Sequence, residues 1–232
     1  ISLLVLAAAL LLSIAVGSVV IPPASVLGVF VAALTGNPLP AEIPESFRAI
    51  LIDLRLPRTV LVAISGAALA GSGAAYQGLF RNPLADPYLI GVASGAGLGA
   101  VLAMSLKWPE TALGLLAVPL AAFSASLLTV ILVYWLARVG KTLPTTNLIL
   151  AGVAVSSFAT ALTSFLMINA TGEIRRAVIW LLGGASLSGW QPVLAILPYV
   201  LPGLGVLLVM GHALNVLQFG DEQAHQLGLP VE

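Results

Sequence analysis

Read along its length, the chain is a series of long uncharged runs separated by short clusters of charge. The charge-free intervals are residues 1 to 41, 59 to 80, 87 to 106, 111 to 137, 142 to 172 and 177 to 220. Within them apolar residues are continuous rather than alternating with polar ones, which argues against half-buried strands. At about 1.5 Å of rise per residue, roughly 20 helical residues cross a hydrocarbon core of roughly 30 Å. Lipid offers no hydrogen bonds to a bare backbone, so only helices or a closed barrel remain, and continuous runs select helices. The pattern predicts six spans, roughly Ile1 to Ile21, Thr59 to Phe80, Tyr88 to Leu106, Thr111 to Ala137, Asn147 to Met167 and Trp190 to Gly211. The predicted fold class is an all-α polytopic membrane protein, a helical bundle forming one transmembrane domain over residues 1 to 232.

Composition agrees. With 59% hydrophobic and 8% charged residues and a mean hydropathy of +1.10, a soluble fold would have nowhere to put its apolar surface. The first run has no basic lead-in, and the chain is expected to begin inside or just before a span. A signal peptide is the other reading, but the run is longer than an h-region and passes into Pro22 and Pro23 without a small-residue cleavage site. The absence of cysteine excludes disulfides and thiolate metal sites. Nine basic and nine acidic residues cancel, so nothing suggests a nucleic-acid partner.

Small and hydroxyl residues mark the spans. Gly91, Gly95 and Gly99 recur every four residues, which predicts bare backbone along one helix face, and Gly66, Ala70 and Ala74 beside Ala67, Gly71 and Ala75 repeat the device. Either these stripes serve close helix contact, or they merely tolerate it; both readings place them inside a multi-helix protein. Ser156, Ser157, Thr160, Thr163 and Ser164 are candidates for the wall of a polar pathway. Alternatively, such hydroxyls bond back to their own helix carbonyls. No Asp, Glu, Lys, Arg or His lies in the middle of a predicted span. Proton-coupled carriers, voltage sensors and intramembrane proteases usually need such a group at depth. A secondary transporter or channel is therefore the weaker alternative, and a transporter here would draw its energy from outside the spans. No GxxxxGK[ST] loop occurs, so nucleotide hydrolysis would belong to another chain. His212 and His225 lie too far apart in sequence for a metal signature, and no catalytic or metal residue is assigned.

Two polar segments carry further information. The stretch from 22 to 58, rich in proline and expected to be a loop, ends in LRLPR, where Pro57 fixes the backbone and Arg55 and Arg58 stand at the membrane surface. They either pair with a partner's carboxylates or snorkel to the interface. At the other end, HALNVLQFGDEQAHQLGLPVE is too polar to continue a span. Gly220 breaks it, Asp221 and Glu222 suit a first helical turn, and Gly228 with Pro230 supplies a stop. Residues 212 to 230 are expected to form two short helices on the membrane surface, either a docking knob or an amphipathic connector.

Taken together, LRLPR (54 to 58), SGAALAGSGAAYQGLFRNPLADPYLIGVASGAGLGA (65 to 100), LILAGVAVSSFATALTS (148 to 164), WLLGGASLSGW (180 to 190) and LNVLQFGDEQAHQLGLP (214 to 230) resemble the permease subunit of the iron-siderophore, haem and cobalamin class of ABC importers, the FecCD or BtuC-like class. The resemblance implies a permease of roughly ten spans, of which six are visible here. It implies a second permease subunit, a homodimer being the expectation, and a pair of ABC ATPases that bind ATP and Mg, this chain holding no cofactor. It also implies a periplasmic or lipoprotein solute-binding protein, and a place in a bacterial or archaeal cytoplasmic membrane. The chain would then stop just after the coupling element and would not transport by itself.

Residue roles follow from the same resemblance. Arg55 and Arg58 would receive carboxylates of the solute-binding protein. Gly220, Asp221, Glu222, Ala224, Leu227 and Gly228 would form the cytoplasmic coupling helix seated on the ATPase. Thr145 and Thr146 would stand at the cytoplasmic gate, and Asn82 and Asp86 would satisfy a turn over 81 to 87. The implied orientation leaves Arg48, Arg55, Arg58, Lys107, Arg175 and Arg176 outside against Arg81, Arg138 and Lys141 inside, whereas the positive-inside rule favours the reverse. Orientation is taken from the resemblance. Iron-siderophore uptake is the first expectation for the load, with haem and cobalamin beside it.

Overall fold

The computed structural model describes residues 1–106, 112–140, 142–169, 174–183 and 189–228. Helices carry most of them, and the only extended pairing among them is an isolated bridge between Val139 and Thr142. Contacts divide the chain into two compact units, residues 1–68 with 187–201, and residues 69–186 with 202–232.

The first unit opens with α1 (Ser2–Ala15), which stops where Val16 turns extended ahead of Gly17 and Ser18. Helix α2 (Pro23–Thr35) starts on Pro22 and Pro23, whose fixed φ suits a first turn, and ends at Gly36 in the left-handed conformation. Pro44 then introduces α3 (Glu45–Arg48), which widens into a π-helix over Ala49–Arg55 and runs on as α4 (Leu56–Phe80). The wide turn has a local cause: Pro57 has no N–H to give to the carbonyl of Asp53, so the regular ladder is broken there in any case. The N–H of Leu56 instead reaches the carbonyl of Leu51. Leu51, fully buried, joins Ile21 and Val29 in the core of this unit, against Ile14, Ile43 and Phe47.

The second unit centres on three mutually packed helices, α5 (Val92–Ser105), α6 (Ala112–Ala137) and α7 (Thr145–Asn169). Ile90, Val133, Ala137 and Leu148 are buried at one end, and Val101 and Met104 with Ala177 of α8 (Ile174–Leu181) lie in a second cluster. Helix α9 (Gln191–Leu217) and the short α10 (Asp221–Gln226) follow.

The all-α membrane class holds, while the helix lengths differ from the even runs in the sequence. Among the described residues, four helical segments are long and apolar enough to cross a membrane: Glu45–Phe80, Leu116–Ala137, Thr145–Asn169 and Gln191–Leu217. The predicted first span ends early, at Ala15, because the Gly17–Ser18 step follows an extended residue. The predicted third span is two pieces: a 3-10 turn over Pro87–Ile90, then Gly91 at φ +84°, then α5 of 14 residues. The stretch from 22 to 58 is largely helical rather than a loop, and α9 passes the expected break at Gly211 and continues to Leu217. Among the described residues one short helix, rather than two, therefore follows the last span.

Candidate docking, pathway and coupling sites

At the end of the π-helix, Arg55 is half-buried and turned back onto α1. Its Nη1 donates to the carbonyls of Ile14 at 3.0 Å and Ala15 at 2.9 Å, and its Nη2 donates to that of Val19. Gly17 leaves room for this, since a Cβ there would sit 2.5 Å from Nη2 and 2.7 Å from Cζ. Arg58 is exposed. With Ser13, Ser18 and Thr59 it lines a cavity of about 670 Å³ that also touches Arg55 and the apolar Leu12, Val16 and Val62. The Ser13 and Thr59 hydroxyls are 2.9 Å apart and hydrogen-bonded, which settles the buried Thr59. The two arginines of LRLPR thus share one cavity but not one situation.

The glycine stripe of the sequence resolves into two roles. Gly95 and Gly99 face α6: a Cβ on Gly95 would lie 2.8 Å from Thr129 Cβ and 3.0 Å from the Ala125 carbonyl, and one on Gly99 would lie 2.6 Å from Ala125 Cβ and overlap the Ala121 carbonyl. Gly91 lies outside the helix. Its positive φ turns the chain from the 3-10 turn into α5, and a Cβ there would lie 2.9 Å from Ser156 Oγ. A fourth glycine, Gly152 of α7, would overlap the Leu89 carbonyl and lie 3.0 Å from Ile90 Cα if it carried a Cβ. Sequence reasoning missed it, although it stands in the apolar run LILAGVAV.

The five hydroxyls of α7 also divide. Thr163 is buried and bonds back to the Ala159 carbonyl at 2.8 Å, and Ser156 faces Gly91. Ser157, Thr160 and Ser164 lie along the exposed side, with Ser157 and Ser164 bonded to the carbonyls of Val153 and Thr160. The back-bonded alternative therefore accounts for three of the five, and an exposed hydroxyl stripe remains.

At one end of the second unit several expected elements meet. The turn over 81 to 87 is held as the sequence suggested: Asn82 Oδ1 accepts from the Leu84 N–H at 2.9 Å and Asp86 from the Tyr88 N–H at 2.8 Å. Gln77 Nε2 closes it by donating to the Pro83 carbonyl at 3.0 Å. Thr145 stands across a crevice of about 30 Å³ from Asn82, Asp86 and Leu89, with Thr146 exposed beside it. Asn147 donates to the Ala137 carbonyl at the end of α6. The end of α9 comes to the same place, because Arg81 Nε donates to the Leu217 carbonyl at 2.8 Å and Gly78 lies against Gln218. Arg81 holds φ +49°, the one non-glycine residue with positive φ among those described. Its role as a tie between two helices could not be read from the sequence, where it looks like one more turn residue.

Beyond Leu217 the chain turns at Gly220, φ +116°, into α10. Ala224 is fully buried, while Glu222 and Leu227 are exposed and Gly228 ends the helix at φ +85°. The Asp221 side chain and Pro230 lie outside the described residues.

Comparison with known proteins gives one consistent result. The model of the FecCD transport family matches residues 4–232. The cobalamin import system permease protein BtuC of Halobacterium salinarum is 45% identical over 84% of this chain and 52% of its own length. The hemin transport system permease protein HmuU of Yersinia pestis is 37% identical over 78% of this chain and 55% of its own. For the Fe(3+)-citrate import system permease protein YfmE of Bacillus subtilis the figures are 32%, 94% and 66%. A solved structure described as an inward-facing conformation of a metal-chelate type ABC transporter superposes with a TM-score of 0.75 at 27% identity, over 98% of this chain and 66% of that one. The chain spans about half to two thirds of the length of these relatives.

Proposed function

The chain belongs to the FecCD transport family, and from that membership we propose that it is the larger part of the permease subunit of an ABC importer. In this reading it moves a bulky metal chelate into a bacterial or archaeal cytoplasm, paired with a second copy. A solute-binding protein delivers the load, and separate ATPases bind ATP and Mg. The observation that carries the reading is the end of the chain: a long membrane helix, a positive-φ Gly220, and a short helix with exposed Glu222 and Leu227. Such an element seats in a groove of an ATPase, with Gly220, Asp221, Glu222, Ala224, Leu227 and Gly228 as the contact. Closure of the ATPases on ATP then displaces a rigid lever. Because Arg81 holds the end of α9, the displacement reaches α4 and the turn before α5. Thr145 and Thr146, adjoining that turn, form the inner gate.

Ser157, Thr160 and Ser164 line the path on the exposed side of α7, a wall that is polar but uncharged. It grips a large chelate weakly, as a translocating load requires. Ser156 and Thr163 face the neighbouring helices instead. At the outer mouth the LRLPR segment, with Arg55 and Arg58, meets carboxylates of the binding protein.

The load is a metal chelate, and the family resemblance puts an iron-siderophore complex first. The relative at 45% identity is named for cobalamin import, and this favours cobalamin as a second reading. The test is ATP hydrolysis by the full-length permease, reconstituted with its ATPase and binding protein and offered ferric siderophore, haem and cobalamin in turn. Stimulation by one load identifies it. Failure to assemble with any ATPase would overturn the importer reading.

A further inference from the structure

We propose that the two arginines of LRLPR do separate jobs: Arg55 is a positioning residue that pins the end of α1 to the π-helix, and Arg58 is the docking cation. The proposal rests on the docking reading above and divides it between two residues that the sequence presents as equivalent.

The division follows from donor count. A guanidinium has five N–H groups in a rigid fork, and a carboxylate is best met by two of them in parallel. Both N–H groups of Arg55 Nη1 go to backbone carbonyls, of Ile14 and Ala15, and Nη2 gives one to Val19. The end-on fork is therefore occupied.

The acceptors need these donors. Carbonyls in the last turn of a helix have no partner within it, and water is scarce beside an apolar helix. That of Leu12 is taken by the Val16 N–H, and Arg55 takes those of Ile14 and Ala15, the last two of the helix. A cation at this end also meets the negative end of the helix dipole. Gly17 is the matching half of the device, since any side chain there would collide with the guanidinium. For Arg55 to receive a partner's carboxylate on its end-on fork, the end of α1 would have to be released, since that edge is taken by the Ile14, Ala15 and Val19 carbonyls. Arg58 lies one helical turn further on, exposed in the shared cavity, and can take a carboxylate with nothing released.

The experiment uses the full-length permease with its ATPase and solute-binding protein, and the variants Arg55→Gln, Arg55→Lys, Gly17→Ala and Arg58→Gln. Two quantities are read: the melting temperature of the solubilised permease, and the affinity for the binding protein as a function of salt. Arg58→Gln is expected to weaken binding about tenfold at low salt and flatten its salt dependence, with the melting temperature held. Arg55→Gln and Gly17→Ala are expected to lower the melting temperature, and the double variant to melt no lower than Arg55→Gln alone, because both break one contact. Arg55→Lys should recover part of the loss, and all three should keep the wild-type salt slope. A flattened salt slope in Arg55→Gln with an unchanged melting temperature would overturn the division. Binding that ignores both arginines, with the stability losses intact, would overturn docking at Arg58 and leave Arg55 as the pin.

Discussion

The glycines of the α5–α7 bundle and those of α4 and α9 look alike in sequence and differ in what surrounds them. In the bundle they are filled in: Gly95 and Gly99 receive α6, and Gly152 receives the Leu89 to Ile90 backbone. Along α4 and α9, a Cβ at Gly66, Gly73, Gly203, Gly205 or Gly211 would meet nothing within 4 Å, and one at Gly71 would press at 3.0 Å only on the movable end of the Leu204 side chain. Helices in lipid gain little from hiding apolar surface from one another, so close packing and hydrogen bonds decide their association. A small residue therefore contributes only where another backbone comes up against it. The bundle is held by its glycines, and the open stripes are surface within this chain.

The largest effects should come from filling the occupied sites. Gly152→Leu or Gly99→Leu forces backbone apart, at a cost of about 3 kcal/mol, the upper end of the usual range for overpacking. The expected outcome is loss of monodisperse protein on extraction, measured by size-exclusion chromatography. The same substitution at Gly203 should leave the elution profile intact. Equal damage at both would erase the contrast.

A second tie in the same unit is polar. Removing the guanidinium with Arg81→Ala deprives the Leu217 carbonyl of its donor while keeping a Cβ at the positive φ, with a cost of about 1.5–3 kcal/mol for a charged hydrogen bond. The expected signature is uncoupling: ATP hydrolysis in the reconstituted importer no longer rises several-fold on adding loaded binding protein, while the permease still purifies. A bundle glycine should do the opposite. If Arg81→Ala instead abolishes expression, the tie belongs with the packing contacts.

What the sequence made legible follows from how local each signal is. Charge-free runs place the membrane helices because hydropathy is additive along the chain, and Asn82 and Asp86 were readable because an Asx turn is closed within two residues. The split at Gly91 was not: a four-residue glycine spacing looks the same whether its first member lies in the helix or turns the chain into it. The continuation of α9 to Leu217 was also hidden, since polar residues after Gly211 mark the edge of lipid and not the end of a helix. Arg55 and Arg81 were the least legible. Each donates to carbonyls distant in sequence, 41 residues away for Arg55 to Ile14 and 136 for Arg81 to Leu217, and no local pattern encodes that.

A third test stays within α7, where the contrast between filled and open runs around one helix. Thr163→Ala removes a buried β-branched side chain and should lower stability by about 1 kcal/mol, read as a lower melting temperature with transport retained. Thr160→Ala, on the exposed side, should leave the melting temperature in place and change the rate of uptake into vesicles. Reversed results would move the pathway wall to the other face of the helix.

The smallest expected effect is also the one that tests the contrast most directly. Gly66 stands exposed in the middle of α4, and a methyl group there would touch nothing within the chain. Alanine restricts the unfolded chain and suits a helix better, so Gly66→Ala should stabilise by about 0.4–1 kcal/mol, seen as a small rise in melting temperature. That rise is expected only if the site is open in the assembled protein as well. A second permease copy, or helices supplied by further chain, packed against α4 would turn the added methyl into an overpacking cost of about 1–3 kcal/mol. The sign of the shift in the full-length assembly therefore separates a lipid-facing stripe from one that another helix fills, and a fall would make Gly66 a member of the same class as Gly99.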